Sequence, residues 1–141
     1  RESYELRLTD TALADAMIRL LQGLSIESDL LKTLNEQCKK PHNISYVTAF
    51  AIAATHWRIS PHYAALGYAW AWLENQVAAA TKLVPLGQTQ SQQLLELLQP
   101  KVLLAIDHAV NCNDDDIGAS LPALAIASCW HEHQYSRLFR S

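Results

Sequence analysis

Breaks are scarce in this chain. It carries four glycines and five prolines in 141 residues. An all-β domain needs many more turn-forming residues than that, so helices are the expected currency. Between the breaks, leucine and alanine, both strong helix formers, recur at three- and four-residue spacing. The expectation is an all-α, single-domain helical bundle of about six to eight helices over residues 1–141. A chain of this length can bury roughly two thirds of its surface on folding, enough for one core.

The segments follow from local signals. "TDTALADAMIRLLQG" places Leu13, Met17, Leu20 and Leu24 on one stripe, with Thr9 or Asp10 as cap and Gly23 near the stop. "ESDLLKTLNEQCKKP" repeats the pattern with Leu30, Leu31, Leu34 and Cys38, ended by Pro41. "SYVTAFAIAATHW" mixes β-branched residues with alanines and reads as helix. "SPHYAALGYAWAWLENQVAAATKLV" has Ser60 as cap and Pro61 at the first helical position, and should run about six turns. It is apolar nearly all round, so it is expected to be the central buried helix. "PLGQ" is a break, and Pro100 should divide or kink the helical run after it. "NCNDDDIGAS" reads as a polar loop, and the last helix should run from Ser120 to Phe139.

Charge narrows the function. The net charge is −3 with no basic block, which argues against nucleic-acid binding through phosphates. No apolar run reaches membrane-spanning length and no signal peptide is visible, so no membrane is expected. Cys38, Cys112 and Cys129 are odd in number and far apart. They are expected to be reduced, small apolar core residues of a cytoplasmic protein.

Chemical motifs are sparse. No GxSxG, Walker lysine loop, GxGxxG or HExxH occurs. "CWHEH" suggests metal, and a small helical metal-binding protein using Cys129, His131 and His133 is the alternative reading. On a helix His131 and His133 diverge by about 200°, and Cys129 with His133 supplies only two ligands where structural zinc takes four. No metal or other cofactor is expected. Asp114, Asp115 and Asp116 lack the alternation of a calcium loop and read as solvated. Glu74 reads as a rim carboxylate.

The chain end carries the sharper signal. Ile117, Leu121, Leu124, Ser128, His131, Tyr135 and Leu138 recur at helical spacing, so Tyr135 and Leu138 are expected to continue a core-facing seam. Trp130, His133, Arg137 and Arg140 share a second face. Arginines there complement the helix dipole, but tryptophan and arginine are also the residues most enriched at interface hot spots. In the long central helix, Ala71, Asn75, Ala78, Ala79 and Lys82 line a side where small residues would let another helix approach. Lys82 reads either as a snorkelling end residue or as a contact.

Two stretches, "YAWAWLENQVAAATKLVPLGQTQSQQLL" and "DDDIGASLPALAIASCWHEHQYSRLFRS", resemble the middle and C-terminal signatures of the urease accessory protein UreF family. The Gly-Phe-Ser-Tyr-Ser-like segment that opens this family is absent, so the resemblance implies an N-terminally truncated chain, roughly the last two thirds. It also implies an all-helical, non-enzymatic chaperone that forms a homodimer. With UreD (UreH in some organisms) and the GTPase UreG, such a chaperone delivers nickel to apo-urease and regulates the GTPase step. By the same resemblance, complex formation falls to Tyr135, Arg137 and Leu138, with Phe139 and Arg140 beside them. GTPase contacts fall to Lys82 and to Tyr68 and Trp70.

Overall fold

The computed structural model describes residues 3–26, 44–118 and 121–136. Among the described residues all regular structure is helical, as expected. The elements are α1 (Tyr4–Gly23), α2 (Tyr46–His56), α3 (Pro61–Leu83), α4 (Gln88–Val110), a 3-10 turn (Asp114–Asp116) and α5 (Pro122–His131). Five α-helices therefore stand among the described residues, where six to eight were expected of the whole chain. Part of the difference lies at Pro100, which sits inside one continuous α4. Its missing N–H removes one ladder bond, but Leu95, Leu98 and Val102 carry the packing stripe across it. The expected helix around Leu30 to Cys38 lies outside the described residues.

The helices fall into two compact units, one holding α1, α2 and α5 and the other α3 and α4. In the first unit, α1 begins earlier than Thr9. Ser3 is its cap, its hydroxyl accepting from the Leu6 N–H at 3.2 Å. Asp10, expected to cap α1, instead caps α2: its Oδ1 accepts the Tyr46 N–H at 3.2 Å. Ser45 adds the cap within α2, accepting from the Thr48 N–H.

The buried stripe of α1 is Ala14, Ile18 and Leu21, not Leu13, Leu20 and Leu24, which are exposed. The three buried residues pack with Ile44, Ala49, Ile52 and Ala53, and Met17 and Ile26 close the cluster. Alanines on both helices permit the close approach, so the small residues face inward and the longer leucines flank them. The helix stops after Gly23 with Ser25 in the left-handed region (φ 54). The Ser25 N–H donates to the Gln22 carbonyl and the Ile26 N–H to the Leu21 carbonyl, and Ile26 folds back onto the core. That is a Schellman stop built on serine rather than glycine.

In the second unit, α3 begins with Ser60 as cap residue and Pro61 in its first turn, as the sequence implies. Val84–Gly87 interrupt the helices, and the Gln90 side chain accepts from the Gly87 N–H at 2.9 Å to open α4. Leu73, Val77 and Leu95 form the core of the pair, with Trp70, Leu94, Leu98 and Val102 packed on it. α3 is not the buried central helix expected from its composition. Only Leu73 and Val77 are buried, one turn apart, because α4 covers one stripe. Tyr63 and Trp72 are exposed. Among the described residues, no helix is long and apolar enough to cross a membrane.

Candidate partner-binding site

α5 begins at Pro122 because proline's missing N–H is no loss in a first turn. It has no buried residue. Its stripe meets α1 through polar side chains rather than the apolar seam expected: Leu121 and Leu124 are exposed, while Ser128 and His131 are part-buried. The Ser128 and Ser3 hydroxyls are 2.8 Å apart. His131 Nδ1 lies 2.8 and 3.0 Å from the two Glu5 carboxylate oxygens, so Nδ1 carries the donated proton. Glu132 returns the contact, its Oε1 accepting the Glu5 N–H at 2.8 Å. The first turn of α1 and the last turn of α5 therefore hold each other reciprocally. Glu132 satisfies an orphan N–H at a helix start, where negative charge is favoured.

The last helix ends at His131, not Phe139. The His133 N–H donates to the Trp130 carbonyl and the Gln134 N–H to the His131 carbonyl, tightening the final turn into three-residue loops. Tyr135 is consequently fully exposed and anchors no core seam. Trp130 is 73% exposed and His133 is exposed as well. These three residues lie close in sequence at and just beyond the end of α5, and residues 132–136 are not α-helical. Arg137, Leu138, Phe139 and Arg140 lie outside the described residues.

On α3 the expected contacts divide. Tyr68 and Lys82 lie on the same side, about 21 Å apart along the axis, whereas Trp70 is about 200° away from Tyr68. Trp70 packs on the core of the α3–α4 pair and lines an apolar groove of about 410 Å³ with Tyr63, Leu66, Val102 and Leu103. Sequence reasoning missed that groove. Its signal was the apolar run on both sides of Pro100. The small-residue side of α3 leaves Asn75, Ala78 and Lys82 exposed, and the Asn75 amide donates to its own helix at Ala71. Glu74 stands exposed on the rim of a second groove with Val77, Gln88 and Ser91.

Cys129, His131 and His133 do not converge on a metal. Among the described residues, no group of three or more His, Cys, Asp or Glu is placed to hold one, and His131 is committed to Glu5. Cys112 is half-buried and Cys129 is exposed, so Cys129 is not the core residue expected; Cys38 lies outside the described residues.

Among the described residues the architecture is all-helical, and the sequence relatives supply the class. The chain is similar to the urease accessory protein UreF of Marinomonas sp. (strain MWYL1), 55% identical over all 141 residues and covering 58% of that relative. It is similar to those of Psychrobacter cryohalolentis, at 46% identity, and Pseudoalteromonas translucida, at 44%, covering all of this chain and 59% of each relative. The UreF family model matches residues 1–99, and the chain belongs to the UreF family. It spans somewhat under three fifths of the length of these relatives. No solved structure matches it.

Proposed function

We propose that the chain serves urease maturation as a non-enzymatic chaperone in the cytoplasm. In this reading it joins UreD (or UreH) and the GTPase UreG as a homodimer in an assembly that delivers nickel to apo-urease, and it regulates the GTPase step. Nickel itself travels on other components. Family membership supports the urease connection, and the observation that carries the docking role is the exposure of Trp130, His133 and Tyr135 at and just beyond the end of α5. A tryptophan left in water is available for a partner to bury, and tryptophan is among the side chains whose burial most strengthens an interface. Arg137, Leu138, Phe139 and Arg140 would extend this surface, and Lys82, Tyr68 and Trp70 would serve the GTPase side.

Arg137 suits bidentate pairing with a partner carboxylate. Arg137→Ala should weaken capture of the UreD/UreH–UreG pair by about 2 kcal/mol. Pull-down and fluorescence titration of the purified components test this. Unchanged affinity rejects the role of Arg137, and no association of any component with the intact chain rejects the function.

A further inference from the structure

We propose that Glu5 and Glu132 are positioning residues for partner capture: together they form a latch that fixes the direction in which the chain leaves α5. The proposal rests on the reading of this chain end as a docking surface.

None of the α5 residues is buried, and among the described residues α5 contributes to neither hydrophobic core. Polar contacts between residues 3–5 and 128–132 tie it to α1. Ser3 caps α1 through the Leu6 N–H and meets the Ser128 hydroxyl with the same oxygen. Glu5 accepts from His131 through its carboxylate and donates to Glu132 through its backbone N–H. Glu132 is the residue that closes α5. Its anchorage therefore decides where His133, Gln134 and Tyr135 go relative to Trp130, which faces solvent.

A partner that buries Trp130 together with the following residues needs them in one arrangement. If the latch opens, that arrangement becomes one of several, and apparent affinity falls by the fraction still competent. Coupling of this kind is reciprocal, so a partner bound at the chain end must also hold the first turn of α1 more tightly. A purely structural contact would carry no such return effect.

The test uses the full chain with purified UreD/UreH as the probe. Glu132→Ala should weaken capture roughly tenfold, since it removes the acceptor of the Glu5 N–H, a charge-assisted hydrogen bond. Glu132→Gln should recover most of the loss, because its amide oxygen can still accept from the Glu5 N–H. Ser128→Ala should weaken capture in the same direction but less. Melting temperatures of all three should stay close to wild type. In hydrogen exchange, the Glu5 amide should slow on addition of the probe. Wild-type capture by Glu132→Ala, alongside capture lost on removing residues 135–141, overturns the latch and leaves the docking surface standing. A glutamine variant as weak as the alanine variant, or a Glu5 amide indifferent to the probe, also overturns it. Capture that survives both Glu132→Ala and the removal of residues 135–141 overturns latch and docking surface together.

Discussion

Trp130→Ala separates a docking residue from a packing residue. Trp130 is 73% exposed, so only about a quarter of a side chain that can bury up to ~250 Å² is covered. That is roughly 60 Å², and at about 25 cal/mol per Å² its loss should lower stability by at most about 1.5 kcal/mol. A tryptophan desolvated at the centre of an interface is worth about 2–4 kcal/mol, roughly 30- to 1,000-fold in Kd. The substitution should therefore move binding much more than melting. The assay pairs thermal denaturation with titration of immobilised UreD/UreH, and Trp130→Phe should keep part of the affinity. The docking role of Trp130 is refuted if Trp130→Ala binds as wild type, or if it melts as early as a core truncation does.

Leu21 supplies that core reference: it is 0% exposed, and Leu21→Ala should cost about 3 kcal/mol by calorimetry while leaving partner capture intact below the melt. Asp10→Ala should lower stability by about 1 kcal/mol and raise amide exchange at Tyr46, because it removes the cap that α1 lends to α2. Ser25→Gly should stabilise the chain by about 0.5 kcal/mol in chemical denaturation, since Ser25 holds a left-handed backbone at φ 54 that glycine adopts without strain.

Local chemistry was legible where it acts locally. Ser60 followed by Pro61, the "PLGQ" break and the alanine-rich run into His56 all mark their helices within a few residues. The misses have partners far away in sequence. Asp10 looks like a cap for the residues beside it, but its acceptor oxygen serves Tyr46. The inward stripe of α1 is set by how closely Ala14 can approach Ala49 and Ala53, which no count of leucines reveals.

The same cause explains the chain end. "HEHQYSRLF" contains no glycine or proline to stop a helix, so periodicity carries the coil onward. The α-helix nevertheless ends at His131 with a last turn tightened into three-residue bonds, beside a Glu132 contact to the Glu5 N–H 127 residues away. Spacing identified Ser128 and His131 as an inward face, but not that its partners would be a serine and a carboxylate. On α3, Trp70 shares a helix with Tyr68 and Lys82 but not their side of it, which side-by-side quotation of a motif conceals.

The most direct test of the account removes residues 135–141 from the full chain and measures melting and capture of UreD/UreH on the same preparation. Because Tyr135 is fully exposed, the melt should hold within a few degrees while capture is lost. A collapsed melt with capture intact in the folded fraction would mean that this end serves the protein's own stability, contradicting its role as a partner surface.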